Sequence, residues 1–237
     1  MWARFPGLLT STQHLFGIKQ DDLTPMEYRW FLVQLTSSGS PVTYTVSLLA
    51  GDRPSGWGYP STSLYSEFDA VSIPLTVGSW FHLAAAINTV TPAACNIVIN
   101  SVNRNATHNG TLSNDTGSSY SIPINGESAG LPFNLNWKYG GGQTQADYQQ
   151  IMEFSEVQLW FGQYIDWTDA DNFAKVVKVA GGVGTPEDPA IAAAAFGTQQ
   201  ILFRGKASDA SFYVNRGDGG AFTKTGTVTD FTPGPSY

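Results

Sequence analysis

Between residues 42 and 48 the chain alternates. Val42, Tyr44, Val46 and Leu48 are large and apolar, while Thr43, Thr45 and Ser47 carry hydroxyls. Successive strand side chains point to opposite faces, so this is the pattern of a sheet with one face buried. Further runs suited to strands occupy residues 30–35, 70–73, 80–87, 96–100, 134–137 and 153–161, with Gly, Pro, Asn and Ser in the stretches between them. Many short strands separated by turn chemistry predict a sandwich or barrel. The composition agrees. Charged residues are 13% of the 237, against roughly 25% in an average domain. Aromatics also reach 13%, beside 25 glycines and 13 prolines. β-branched and aromatic side chains fit pleated, half-buried surfaces, and Gly, Pro, Asn and Ser serve turns. The chain is therefore expected to be all-β.

Several classes of function are disfavoured at once. Twelve Lys and Arg against 19 Asp and Glu give a net charge of −7, the wrong sign for a nucleic-acid face. The longest apolar runs fall short of the ~18 residues of a membrane span, so no membrane insertion is expected. The single cysteine, Cys95, leaves no internal disulfide and no cysteine-based zinc site. Pro6 and Gly7 interrupt the one apolar stretch near the start, so no secretory signal is read there and a cytoplasmic origin is expected.

Residues 1–27 show no sustained period and read as an N-terminal arm or edge strand. Residues 28–180 hold the main run of strands. Near its end, Thr168 with Asp171 reads as a capping box. Phe173, Val176, Val177 and Ala180 then recur at helical spacing until Gly181-Gly182. A second short helix is expected over residues 186–195 behind Thr185. Residues 181–237 read as a linker followed by a C-terminal β segment that packs on the core or on a neighbour. Its last strands flank the Gly-rich loop Asn215–Gly220.

The stretch Val77-Gly78-Ser79-Trp80-Phe81-His82-Leu83-Ala84-Ala85-Ala86-Ile87 resembles the central strand of laminin-G-like jelly rolls, which a Trp-x-His-x-Ala pattern introduces. Residues 96–100 with Asn103 resemble the next strand and its turn, without the family's Tyr and Gly there. Glu156-Val157-Gln158-Leu159-Trp160 resembles the closing strand. Ile201-Leu202-Phe203 and residues 219–226 are similar to tails attached to such domains in bacteriophage virion proteins. The resemblance covers roughly residues 28–229 and implies a two-sheet antiparallel jelly-roll sandwich of the concanavalin A-like kind, with one or two short helices and an extended C-terminal segment. It implies no activity.

Glycanases of this fold use a Glu-x-Asp-x-Glu strand that places two carboxylates on one face. Here Glu153, Ser155 and Val157 share a face and Glu156 points away, so the pattern is missing and no catalytic residue is assigned. His14, His82 and His108 are widely spaced. His82, inside a strand, reads as filling a structural slot rather than acting as a base. No Gly-x-Ser-x-Gly elbow and no His pair at helical spacing occurs. No cofactor is expected apart from calcium, for which Asp52, Asp69, Asn114 and Asp115 are the loop oxygen candidates, with solvated turn residues as the plainer account.

Exposed-looking aromatics point to sugar stacking. Trp57 and Tyr59 lie in a Gly/Pro-rich stretch, Tyr120 follows a Gly-Ser run, and Trp137 and Tyr139 precede Gly140. The same rings serve cores and subunit interfaces equally well. Arg216-Gly217-Asp218 spells an integrin-type tripeptide that turn chemistry already explains. The sequons at Asn105, Asn109 and Asn114 read as an Asn/Thr-rich loop. The expectation is a non-enzymatic virion protein, capsid decoration or tail- and fibre-associated, forming a homo-oligomer among other virion proteins. A carbohydrate- or host-receptor-binding module is the alternative, with a host surface glycan as its partner. A glycan hydrolase comes third.

Overall fold

The structure, a computed structural model, describes residues 1–9, 13–21, 28–39, 42–53, 64–86, 95–104, 107–109, 133–135, 152–180, 183–204 and 214–221. It is mostly strands in antiparallel sheets, with two short helices among the described residues. One sheet has five strands in the order β11 (Glu153–Ser155), β1 (Trp2–Arg4), β6 (Phe81–Ala86), β7 (Asn96–Ile99) and β8 (Val102–Asn103). The other has six, in the order β10 (Phe133–Leu135), β2 (Gln13–Asp21), β3 (Tyr28–Ser38), β4 (Thr43–Arg53), β5 (Leu64–Ile73) and β9 (Thr107–Asn109). Two further strand pairs join β12 (Val157–Leu159) to β15 (Ile201–Phe203) and β13 (Val177–Ala180) to β14 (Val183–Pro186). The helices are α1 (Ala170–Phe173) and α2 (Pro189–Phe196).

The alternation at residues 42–48 holds in β4 at Tyr44, Val46 and Leu48, while Val42, ahead of the strand, is exposed. β3 and β4 pair from Tyr28↔Arg53 to Ser38↔Thr43, and Tyr44, Val46 and Leu48 are buried while Thr43 and Thr45 are half-buried. Ser47 is buried as well. β5 joins β4 with a register shift between Tyr44 and Val46, where Ser72 takes φ 58°. An extra residue in left-handed conformation is how a strand is bulged.

The five-stranded sheet is covered on both faces. From β1, Ala3 joins one buried cluster with Phe5 just beyond it, from β6 Phe81 and Leu83, and from β7 Ile97 and Ile99. Leu35, Tyr44, Val46, Leu48 and Ile73 of the six-stranded sheet belong to that same cluster. The alternate residues Trp2, Ala84, Ala86 and Val98 belong to a second cluster with Ile165, Trp167, Phe173, Val176, Val177 and Ala192. The sheet thus lies between the six-stranded sheet and a layer drawn from residues 160–197. Strands buried on both faces read as continuous apolar runs, which explains Phe-His-Leu-Ala-Ala-Ala in β6. Ala84 and Ala86 keep that outer face low enough for the indole of Trp167 to donate from Nε1 to the Ala85 carbonyl at 3.1 Å.

Four expectations are corrected. Residues 1–9 are not an arm, nor is β1 an edge strand. It lies between β11 and β6, with Trp2↔Ser155 on one side and Trp2↔His82 on the other. Three residues with side chains turned into both layers show no period, and Pro6 and Gly7 form an exposed bend beyond buried Phe5. The helix expected after Thr168 is a single turn. Asp169 caps it, accepting from the amides of Asp171 (2.8 Å) and Asn172 (3.3 Å), while the Thr168 hydroxyl donates to Asp166. Phe173, Val176 and Val177 are buried as the spacing requires, but the β-branched run continues as β13, where Val is at home. Residues 183–186, read as linker, return as β14. Gly184 packs closely there: a Cβ would stand 3.3 Å from Val177 Cγ1 and 3.4 Å from Trp2 Cη2. The second helix starts later than expected, at Pro189, with Asp188 accepting from the Ala190 amide at 3.0 Å. Proline suits that first position because its missing N–H would have no partner.

The strand expected over residues 153–161 breaks at Glu156, whose φ is 47°. β11 before the break pairs with β1, and β12 after it pairs with β15. Residues 201–203 are thereby attached to the strand that follows β11. The final strands expected near residues 211–214 and 222–229 lie outside the described residues, apart from Val214.

β7 and β8 are joined by Asn100 and Ser101, with φ 50° and 65°. Positive φ at both centres is the two-residue hairpin turn that favours Asn-Gly. A non-glycine residue in that region costs roughly 1–2 kcal/mol, part of which glycine returns as unfolded-chain entropy. Ser101→Gly is therefore expected to raise stability by about 0.5 kcal/mol, read as a higher urea midpoint with an unchanged slope.

Candidate functional site

The best-defined concentration of polar chemistry lies on the outer face of the five-stranded sheet and along its β11 edge. Alternation puts Trp2 and Arg4 of β1 on the face that also carries His82. Arg4 forms an ion pair with Glu153 of β11, and its guanidinium stands 5.2 Å from the centre of the Trp80 ring. Glu153 is 8% exposed and Glu156 is 2% exposed. Glu156 meets Arg204 Nε at 3.4 Å, and Arg204 Nη1 reaches Asp188 at 3.6 Å. Left-handed backbone at Glu156 turns this side chain inward beside buried Ser155 and Val157, so three consecutive residues are buried where a regular strand would expose one. Both carboxylates face the interior and are engaged by arginines.

His82 is 3% exposed. Its ring lies 5.1 Å from that of Trp2 and 5.4 Å, edge-on, from that of Phe173. Nδ1 has no hydrogen-bond partner. Burial, and next the nearby Met1 amine, hold its pKa well below the usual histidine value. The ring is a neutral packing element.

Trp160, Trp167 and Phe196 form a triad with centroids 5.7 to 5.9 Å apart. The Trp160 indole donates to the Gly197 carbonyl at 2.9 Å. With one indole N–H spent at the end of α2 and the other on β6, these rings hold α2 within the layer and the layer on the sheet. A more accessible polar group sits nearby. Asn96 Nδ2 donates to the Tyr164 hydroxyl at 2.8 Å and, at 3.4 Å, to Asp166, which also takes the amide and hydroxyl of Thr168. Burial, and next the Asp166 charge, raise the Tyr164 pKa.

Of the residues singled out in the sequence for a site, only Asp52 and Asp69 fall among the described residues. Trp57, Tyr59, Tyr120, Trp137, Tyr139, Asn114 and Asp115 lie outside the described residues. Asp52 is near the end of β4, opposite Arg29, and Asp69 is inside β5, opposite Ser47, so both occupy strand positions rather than connections. Among the described residues no group of three His, Cys, Asp or Glu side chains is placed to hold a metal ion. Cys95 is half-buried at the start of β7. The Arg216-Gly217-Asp218 loop is docked on the residues before and within β15: the Arg216 amide donates to the Leu202 carbonyl and the Asp218 amide to that of Gln199, both at 2.9 Å. Sequence reasoning missed the two Glu–Arg pairs and the Trp160–Trp167–Phe196 triad.

No protein-family model, curated protein or solved structure matches this chain. Among the described residues no helix is long and apolar enough to cross a membrane.

Proposed function

We propose that the protein is a non-enzymatic structural component of a bacteriophage particle, a capsid decoration or a tail- or fibre-associated protein, built on a concanavalin A-like jelly-roll sandwich. The observation that carries this reading is how the buried polar groups are used. Glu153 and Glu156 face inward onto Arg4 and Arg204, His82 is enclosed by two rings, and two indoles hold backbone carbonyls. Side chains that could do chemistry hold layers together instead. A buried carboxylate engaged by a guanidinium cannot meet a glycosidic oxygen, and retaining or inverting hydrolysis needs two that can. The antiparallel sheets sharing one core suit the sandwich, and the family resemblance supplies the viral setting. Such components form symmetric assemblies, so a homo-oligomer contacting other virion proteins belongs to the same reading.

The test is quantitative mass spectrometry of purified particles, scaled to the major capsid protein. A copy number comparable to the capsid subunit supports decoration. A few copies support a tail or fibre part, in which a host glycan stacked on Trp57 or Tyr59 becomes the leading role. Absence from the particle overturns the proposal.

A further inference from the structure

We infer that His82 is an acid-operated latch: its neutral ring, clamped between Trp2 and Phe173, holds the layer of residues 160–197 on the five-stranded sheet, and protonation releases that layer. The inference stands apart from the virion reading.

His82 sits where three elements meet. Its own strand, β6, is interior to the sheet, its register partner Trp2 belongs to β1, and the edge-on ring of Phe173 is the last residue of α1. Its main-chain amide is already engaged, donating to Asn100 Oδ1 at 2.9 Å. The ring is buried beside the tilted ring of Trp2 and the edge-on ring of Phe173, and its Nδ1 has no acceptor to meet a second N–H. An imidazolium there would be a buried charge without a counter-ion, and such groups move to water rather than stay.

The surrounding charges do not supply that counter-ion. From the β1 side come the Met1 amine, which burial lowers to about 5 so that it is neutral near pH 7 and a like charge only at the acid end, and Arg4, which is bound to Glu153 of β11. Glu156 acts on the Met1 amine and pairs with Arg204. From α1, Asp169 and Asp171 are exposed, and Asp169 is spent as the helix cap. The residues of β7 nearest His82 are uncharged.

The sign follows from linkage. The docked state disfavours the proton, so the released state binds more of it, and docking strengthens as pH rises. Docking is therefore complete above the ordinary histidine value of 6.5 and weakens as pH falls below it. Phe81 and Leu83, on either side of His82 in β6, belong instead to the cluster shared with the six-stranded sheet. Release should accordingly be regional.

The experiment is hydrogen–deuterium exchange on the whole chain from about pH 7.5 to about pH 4.5, with labelling times scaled to the intrinsic amide rate, for the wild type, His82→Gln and His82→Phe. In the wild type, peptides covering residues 165–177 should lose protection as pH falls, while those covering residues 43–48 of β4 keep it. In the variants that loss should move to lower pH by at least about one unit, or vanish. Simultaneous loss across both regions, unchanged protection down to about pH 4.5, or identical profiles in wild type and variants would overturn the latch. If neither variant folds, NMR titration of the wild-type His82 ring decides. Titration near its ordinary value with the layer still protected is fatal; appearance of a titrating ring only as the layer opens supports it.

Discussion

Phe5→Ala should lower the free energy of unfolding by about 3–5 kcal/mol, the usual cost of emptying a phenylalanine site in a close-packed core. Phe5 is fully buried, with its ring 5.1 Å from that of Tyr44 in the six-stranded sheet and 6.0 Å from that of Phe81 in the five-stranded one. It therefore fills space between the two sheets, which cannot close on the vacancy without shifting relative to each other. Its carbonyl accepts from the Gly78 amide at 2.9 Å, and four residues on, the Leu9 carbonyl accepts from the Ser37 hydroxyl at 2.8 Å. Those bonds hold the segment at both ends, so the vacancy cannot be relieved by the chain simply swinging away. Urea unfolding would read the loss as a lower midpoint with an unchanged slope. A loose arm would respond differently. Truncating a side chain outside the core changes stability by no more than about 0.5 kcal/mol, and a result of that size would show that residues 1–9 do not belong to the sheet.

What was legible in the sequence depended on how many faces each strand buries. β4 carries its own pattern, because Thr43 and Thr45 mark one side and Tyr44, Val46 and Leu48 the other. β1 buries Trp2 toward one layer and Ala3 toward the other, and three residues of that kind carry no period. Phe173, Val176 and Val177 are buried as their spacing requires, but only Phe173 is helical, since one helical turn followed by a bend into a strand brings the same side chains inward. Nothing local announces a left-handed glutamate, so the break at Glu156 and the change of partner from β1 to β15 were invisible. The polar site was unreadable for a related reason. Arg4 and Glu153 are 149 residues apart and meet only because β1 pairs with β11. His82 was the exception, because a histidine inside an apolar strand already reads as a packing residue.

Gly217→Ala should cost about 2–3 kcal/mol or detach the loop that carries it, because three backbone hydrogen bonds worth about 1 kcal/mol each depend on close approach there. A Cβ at residue 217 would stand 2.2 Å from the Gln199 carbonyl oxygen and 2.8 Å from that of Gln200; one at Gly219 would stand 2.4 Å from the latter. These are main-chain atoms and cannot rotate aside. The bonds at risk run from the amides of Arg216, Asp218 and Gly219 to the carbonyls of Leu202, Gln199 and Gln200, all at 2.9 Å. Asn215 braces the same loop, donating to the carbonyls of Gln200 and Gly220 and accepting from the Leu202 amide. Asp218→Ala is the control, since that side chain is exposed and its removal should shift stability by no more than about 0.5 kcal/mol. Urea midpoints compare the two variants, and exchange of the amides of residues 214–221 tells detachment from global loss. A large effect at Gly217 with little at Asp218 means that packing against residues 199 and 200 dictates the glycine of the Arg-Gly-Asp tripeptide. A neutral Gly217→Ala would mean the loop is not docked there, and receptor recognition would again be a reason for those three residues to stand in that order.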